Sequence, residues 1–164
     1  MTVTIFFYII FCDATLLVLG CNITRLHQSS GSILSPQYPG YYTNNARCIW
    51  RLRVPRGHVI RLEFQYFDLE YNPRCSNDYL EVRDGLSAIS TPIGRFCGQS
   101  FPTSIESTGR EMLITFISNE QITRGGFRAQ YWARIGKLLK SPWKRRLLFE
   151  VELRFNEVRL HSKT

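Results

Sequence analysis

The 164-residue chain lacks the short motifs that mark the common classes of enzyme. It has neither a Gly-Asp-Ser-Gly nor a Gly-x-Ser-x-Gly turn to present a nucleophilic serine, no His-Glu-x-x-His and no phosphate-binding glycine loop. The three histidines are His27, His58 and His161, and they do not cluster near a candidate nucleophile. These absences favour a non-catalytic protein.

A zinc site is not expected either, because no Cys-x-x-Cys pair occurs among the cysteines Cys12, Cys21, Cys48, Cys75 and Cys97. If Cys12 is lost with a leader segment, four remain, an even number that is typical of the disulfide framework of an exported protein. Three pairings are possible. The sequence favours Cys21–Cys48 and Cys75–Cys97, because each pair brackets one hairpin-sized unit. Buried free thiols in a cytosolic protein are the alternative.

The chain opens on an apolar run that no Lys or Arg precedes and that Asp13 interrupts. Residues 1–20 are nevertheless best interpreted as a secretory signal peptide, because the run ends in small residues. A retained membrane anchor formed by residues 3–20 is the alternative, although Asp13 would cost about 2.5–3.5 kcal/mol near the bilayer centre. Lipoprotein-type processing would cleave the chain before Cys21 and attach a lipid to its thiol. That thiol would then be unavailable for the first disulfide. The one N-glycosylation acceptor, Asn22-Ile23-Thr24, predicts a glycan on Asn22 and a secreted, extracellular protein.

Amphipathic helical periodicity is also missing between residues 21 and 135. Apolar residues alternate with polar ones instead, as they do in half-buried strands. Such runs are centred on residues 31–34, 48–54, 59–67, 79–83, 93–97, 111–118 and 127–131, and Trp50 is expected to face the core. Short strands separated by turns at intervals of roughly 8–12 residues predict an all-β sandwich.

A set of motifs extends across residues 21–132, in addition to the four cysteines. They are Ser35-Pro36-Gln37-Tyr38-Pro39 with Tyr42, Cys48-Ile49-Trp50, Phe67-Asp68-Leu69-Glu70, Cys75-Ser76-Asn77-Asp78, Phe96-Cys97-Gly98, and Gly126-Phe127 with Tyr131. The set resembles the CUB family of extracellular modules, and residues 93–99 are most similar to the neuropilin- and tolloid-like members. The resemblance implies an antiparallel β-sandwich of jelly-roll type with two disulfides over residues 21–135.

Many CUB modules hold Ca²⁺ at one end of the sandwich, and the resemblance implies such a site here. Glu70, Asp78 and Asn119 take the ligand positions, with Tyr42, Asp68 and Glu120 in the shell around them. Tyr42 is expected to orient Glu70 through its hydroxyl. Asn119 stands where the family has an aspartate, so the site loses one negative charge and calcium binding should be weak or absent.

The same acids have a simpler interpretation. Asp68, Glu70 and Asp78 lie between two strand-like runs and are expected to meet at one end of a sheet. Asp68 and Asp78 could then be turn residues that cap their own backbone, with Glu70 as a solvated loop acid. If Asn119 prevents calcium binding, Glu70 and Asp78 are expected to repel each other and loosen the loop.

Positive charge is concentrated in a C-terminal extension, residues 136–164, which is not expected to form an independent domain. Residues 137–164 contain eight basic and three acidic residues, which gives +5 of the chain's net charge of +8. Their apolar pattern fits a strand or a helix equally well. The simplest interpretation is a solvated tail, or the remnant of a larger protein that continues beyond it. A basic, aromatic-containing helix would instead suit sulfated glycans or a membrane surface as partners; nucleic acid is not expected.

Together these features predict a secreted, non-catalytic module that binds extracellular proteins. The resemblance implies that binding depends on calcium through the acidic loop, whose carboxylates would pair with a Lys or Arg of the partner. Two alternatives remain: a glycan- or membrane-surface-binding protein that acts through its tail, and a short form of a larger receptor or protease.

Overall fold

The computed structural model describes residues 21, 23–100 and 104–136. The expected signal peptide (1–20), the glycosylation site Asn22 and the basic tail from residue 137 lie outside the described residues. Within them the chain forms strands and loops, and no helix there is long and apolar enough to span a membrane.

The described ranges form nine strands. They are β1 (Ile23–Leu26), β2 (Ser30–Leu34), β3 (Arg47–Arg53), β4 (His58–Asp68), β5 (Tyr79–Asp84), β6 (Thr91–Phe96), β7 (Ile105–Glu106), β8 (Glu111–Ile117) and β9 (Gly126–Ile135). The sequence predicts all of them except β1 and β7, which are too short to show a period.

The strands form two sheets, a five-stranded sheet with the order β1-β3-β8-β5-β6 and a four-stranded sheet with the order β2-β9-β4-β7. All pairs are antiparallel except β1 with β3, where Ile23 lies beside Ile49 in a parallel register. The all-β sandwich of jelly-roll type is therefore confirmed, with one parallel pair that the sequence did not predict. In both sheets a strand from the end of the chain, β8 or β9, lies between two earlier strands.

Alternation along the strands determines which side chains form the core between the sheets. In β3, Cys48, Trp50 and Leu52 are buried while the residues between them face outward. The predicted inward orientation of Trp50 is confirmed, and its ring lies 5.8 Å from that of Phe127 in β9, edge to face. Such aromatic pairs add about 0.5–1.5 kcal/mol to the free energy gained by burial.

Both expected disulfides are present. Cys21–Cys48 ties the chain just before β1 to β3, and Cys75–Cys97 ties the acidic loop to the residue after β6. The strands on either side of this loop lie in different sheets, because β4 belongs to the four-stranded sheet and β5 to the five-stranded one. Residues 69–78 therefore cross from one sheet to the other, and their acids lie at the end of the sandwich, between the layers.

Candidate functional site

Three loops meet at this end of the sandwich. They are the β2–β3 loop, which contains Tyr42, the crossing loop 69–78, and the β8–β9 loop, which begins at Ser118 and Asn119. Backbone hydrogen bonds join the first and third of them, from Asn45 N–H to Asn119 O at 2.7 Å and from Tyr42 N–H to Arg124 O at 3.1 Å. Side chains that are far apart in sequence are thus brought together.

Asp78 is the centre of the site and is fully buried. One carboxylate oxygen accepts a hydrogen bond from the Tyr42 hydroxyl at 2.6 Å, and the other accepts one from the Asn119 backbone N–H at 2.7 Å. Burial raises the pKa of Asp78, although these two hydrogen bonds oppose the rise. The pKa of Tyr42 is also raised, first by burial and then by its bond to Asp78. The donors to Asp78 lie 36 and 41 positions away in the sequence, so the residue does not act as a turn acid that caps its own backbone.

Tyr42 is part of the site, but its hydroxyl has a different partner from the one expected. It donates to Asp78 and accepts a hydrogen bond from the backbone N–H of Glu70 at 3.1 Å. The expectation that it would bond the Glu70 carboxylate is corrected, because that carboxylate is taken up by two amide side chains. One buried hydroxyl of the β2–β3 loop therefore joins the two ends of the crossing loop, at Glu70 and at Asp78.

The Glu70 carboxylate lies between two asparagines. Its oxygens accept hydrogen bonds from Asn77 Nδ2 and Asn119 Nδ2, each at 3.0 Å, and the residue is only 6% exposed. The Oδ1 atom of Asn119 accepts the Gln121 N–H at 2.8 Å, so the amide faces Glu70 with its donor side. The sequence interpretation assigned no role to Asn77. Its position next to Asp78 in the motif is the signal that could have identified it as part of the site. Each acid has its own donors, yet in addition to burial the charge of Glu70 raises the pKa of Asp78, as repulsion between the two acids does. The loosening of the loop stays a prediction.

Asp68 and Glu120, placed around the ion by the resemblance, have other surroundings. The Asp68 carboxylate accepts hydrogen bonds from Gln99 Nε2 at 3.0 Å and from Gly125 N–H at 3.2 Å, which fastens β4 to two neighbouring loops. Glu120 is exposed, and its backbone oxygen accepts a hydrogen bond from Asn44 Nδ2 at 2.9 Å. The structure therefore brings Tyr42, Glu70, Asp78 and Asn119 into one network and leaves the other two at its edge.

The donor set does not fit a calcium ion in this arrangement. Calcium takes six to eight oxygen ligands. Here both oxygens of Glu70 and of Asp78 already accept N–H or O–H donors, and Asn119 presents a nitrogen to Glu70. No group of three His, Cys, Asp or Glu residues suited to a metal occurs in the described part of the chain. The ligand roles of Glu70, Asp78 and Asn119 stay predictions drawn from the resemblance.

Tyrosines with exposed or half-buried side chains lie in the loops of this end of the sandwich and near the end of β4. Tyr41 and Tyr71 are 68% and 73% exposed, and Tyr66 is also exposed, with its ring 5.6 Å from that of Tyr38. Ile122, in the β8–β9 loop, is exposed as well. This set, Tyr38, Tyr41, Tyr66, Tyr71 and Ile122, is called the tyrosine rim below. Large exposed aromatic side chains next to acids are a combination that protein interfaces use.

The family model for the CUB domain matches residues 21–131, which is more than half of the chain. The chain belongs to the CUB family. CUB domains are generally non-catalytic modules that bind extracellular proteins, and the CUB relatives are extracellular or membrane-associated proteins. The tolloid-like placement of residues 93–99 agrees with the tolloid-like proteins found among the curated relatives.

A sea-urchin relative, the bone morphogenetic protein 1 homolog of Strongylocentrotus purpuratus, is 39% identical over 108 residues, which are 66% of this chain and 17% of that protein. The extracellular region of zebrafish Gpr126/Adgrg6 matches 71% of this chain and 15% of its own, with 31% identity and a TM-score of 0.63. The MASP-1 CUB2 domain crystallised with Ca²⁺ matches 66% and 96%, with 29% identity and a TM-score of 0.61. The chain thus corresponds to one module of much longer relatives.

Proposed function

We propose that this chain is a secreted, non-catalytic CUB module that binds an extracellular protein through the tyrosine rim. The single observation that carries the proposal is the grouping of four tyrosines and Ile122 at the end of the sandwich where Glu70 and Asp78 are held. Tyrosines offer large contact areas at low entropic cost, and the ordered loops beneath them would need little rearrangement on binding.

The chemistry of the rim favours a partner that presents Lys or Arg. Tyrosine faces attract cations, and the exposed Glu120 offers a carboxylate at the edge of the same surface. Glu70 lies deeper and would strengthen the negative potential of the site. A basic side chain that enters between the tyrosines would therefore gain both cation–π and charge interactions.

In this proposal, binding does not require calcium. In calcium-binding relatives the ion holds the loop acids, whereas here Asn77 and Asn119 donate to Glu70 and the Asn119 backbone donates to Asp78. These hydrogen bonds would hold the two acids in place without an ion. The partner's affinity is expected to be the same in 5 mM EDTA and in about 2 mM calcium, a concentration in the extracellular range.

The test is a screen of the full-length secreted protein against purified extracellular domains by biolayer interferometry. Tyr41→Ala and Tyr71→Ala should each weaken a partner about tenfold or more, as loss of a central interface residue does. Ile89→Ala is the matched control, because Ile89 is 94% exposed in the β5–β6 loop, outside the rim. The proposal fails if no extracellular domain binds, or if the captured domain is insensitive to both tyrosine substitutions.

Secretion is tested separately. Expression in a mammalian cell should deliver the protein to the medium, with cleavage before Cys21 and a mass that falls on glycosidase treatment unless Asn22 is replaced by Gln. Retention in the membrane fraction with residues 3–20 intact would favour the anchor instead.

A further inference from the structure

The net charge of the described residues comes entirely from one face of the molecule. These residues contain thirteen arginines and nine acids, and every lysine of the chain lies outside them. The outer face of the five-stranded sheet contains six of the arginines and two glutamates, namely Arg25, Arg47, Arg51, Arg53, Arg83, Arg95, Glu81 and Glu111. The charges of the other seven arginines and seven acids sum to zero. The net charge of +4 is therefore that of this sheet surface, which we call the arginine face.

The register of the sheet places three of these arginines in one row. Arg25 of β1 lies beside Arg51 of β3, Arg51 lies beside Leu113 of β8, and Leu113 lies beside Arg83 of β5. Residues that are directly opposite each other share a face. The row crosses three strand spacings, or about 14 Å at 4.7–4.9 Å each. An extended polyanion that runs across the strands would meet several guanidinium groups in succession.

Three of the six arginines on this face form ion pairs, and they share two glutamates. Arg53 pairs with Glu111 at 2.8 Å, while Arg83 and Arg95 both pair with Glu81, at 2.6 and 2.7 Å. Arg25, Arg47 and Arg51 form no ion pair within the described ranges. The Nε atom of Arg51 is buried, so this residue can reach a ligand only through its terminal guanidinium nitrogens. These three guanidinium groups have donors to offer to a ligand.

We propose that the arginine face binds a sulfated glycan chain. Guanidinium groups form paired hydrogen bonds with oxyanions and are less strongly hydrated than ammonium groups, which suits sulfate recognition. Binding of single-stranded nucleic acid uses aromatic side chains on which bases stack. Tyr79 of β5 is already covered on this face by the Arg95 guanidinium, 4.0 Å from its ring centre. An extracellular module meets sulfated glycans as its commonest linear polyanions. This site is separate from the tyrosine rim and does not depend on the function proposed for the rim.

The test compares two full-length variants that lose the same charge from different surfaces. One variant carries Arg25→Ser, Arg47→Ser and Arg51→Ser. The matched control carries Arg56→Ser, Arg124→Ser and Arg128→Ser, three exposed arginines outside this face that form no ion pair in the described part of the chain. Affinity for a heparin oligosaccharide is measured over a series of salt concentrations, and thermal melts verify that each variant is folded.

The proposal predicts that the face variant loses about tenfold or more in affinity and that its salt dependence becomes shallower, while the control changes less than about threefold. Desulfated heparin should not bind to the native protein. Equal losses in both variants would show attraction by net charge alone, and no loss in either would assign heparin binding to the tail; both results overturn the proposal. A face-dependent affinity for anionic phosphatidylserine vesicles or for oligonucleotides without affinity for heparin would also overturn it.

Discussion

Asn119 shows how one side chain can determine whether a loop cluster needs an ion. Its Nδ2 donates to Glu70 where an aspartate would present a negative oxygen, so the amide removes a negative charge and at the same time supplies a donor. An amide has no charge to attract a divalent cation, but it costs little to bury when both of its ends are paired. Here its oxygen is paired too, by the Gln121 N–H.

Replacing Asn119 by Asp should therefore create a calcium-dependent protein. The variant gains a third carboxylate and loses the donor to Glu70, so its acids will repel one another until calcium binds. With a dissociation constant in the 10⁻⁴–10⁻³ M range of extracellular modules, 10 mM calcium should stabilise it by about 1.4–2.7 kcal/mol. Thermal melting with and without calcium measures this, and the native protein should show no calcium-dependent shift.

Asn45→Asp is the control for this experiment. It adds the same charge at an exposed residue of the β2–β3 loop. Asn45 is a neighbour of Asn119, because its backbone N–H donates to Asn119 O. If calcium raises the melting temperature of the native protein, or raises that of N45D as much as that of N119D, the interpretation of the amide is wrong.

Two buried tyrosines give a second prediction at this scale. The Tyr42 hydroxyl joins Asp78 and the Glu70 N–H, so Tyr42→Phe leaves a buried carboxylate and a buried amide each without one partner. A loss of about 1–3 kcal/mol in the free energy of unfolding is expected, measured by urea denaturation. Tyr131 is equally buried, but its hydroxyl has no hydrogen-bond partner among the described residues. Tyr131→Phe should be neutral or stabilising, and equal losses for the two variants would contradict the network.

At the scale of the element, the long strands follow directly from the sequence. The alternation in β3 and β4 and the apolar run of β8 predict which side chains of each strand are buried, because burial in the sheets follows the same pattern. β1 and β7, with four and two residues, are too short to show a period, and they are strands because neighbouring strands pair with them. The parallel direction of β1 is likewise a property of the sheet and not of its residues.

The residues of the candidate site also divide into those that the sequence predicts and those that it does not. The acids Glu70 and Asp78 could be selected from the family's motifs, because those motifs fix their places at the ends of strands. Their donors could not, since the bonds from Asn119 to Glu70 and from Tyr42 to Asp78 join residues 49 and 36 positions apart. Which end of an amide faces a carboxylate depends on the hydrogen bonds that its other end can form, here with Gln121.

The β5–β6 pair leads to a prediction about acid stability. Burial alone would raise the pKa of Glu81, but hydrogen bonds and charge from Arg95 and Arg83 outweigh it and lower the pKa below its ordinary value of 4.5. A lowered carboxyl pKa in the folded state gives stability that is present above about pH 4.5 and is lost as the pH falls through the folded value. Urea denaturation at pH 7 and at pH 3 should therefore show a larger acid-induced loss in the native protein than in Glu81→Gln.

Glu120→Gln is the comparison for that experiment, because the Glu120 side chain makes no ion pair within the described ranges and is exposed. Its acid-induced loss should match that of the native protein. A native-like acid response in E81Q would show that the Arg83–Glu81–Arg95 cluster does not stabilise the fold.

On the scale of the whole molecule, the two proposed binding surfaces lie apart. The arginine face covers the outside of one sheet, and the tyrosine rim, with Glu70 and Asp78, lies where the loops meet at the end of the sandwich. The two sheets position both surfaces on one rigid core. The module could therefore hold a glycan and a protein partner at the same time, and loss of either activity by substitution should leave the other intact.

The order of strands predicts where the chain can be shortened. β9 joins β2 to β4 and supplies Phe127, Ala129 and Tyr131 to the core. A chain that ends after Gly125 should give no cooperative thermal transition, because β9 is the one partner of β2 among the described strands. A chain that ends after Gly136 keeps all nine described strands and should melt cooperatively. Cooperative melting of the shorter chain would contradict the central role of β9.

The late position of the two central strands has a consequence for biosynthesis. A ribosome produces β1 to β7 before either β8 or β9 exists, so neither sheet can close while those strands emerge. The nascent chain must keep the apolar faces of β3, β4 and β5 exposed until residue 135 has left the exit tunnel. Both sheets can therefore close only after β8 and β9 have been synthesised, and we expect the early strands to be clients for the chaperones that bind unpaired apolar segments during synthesis.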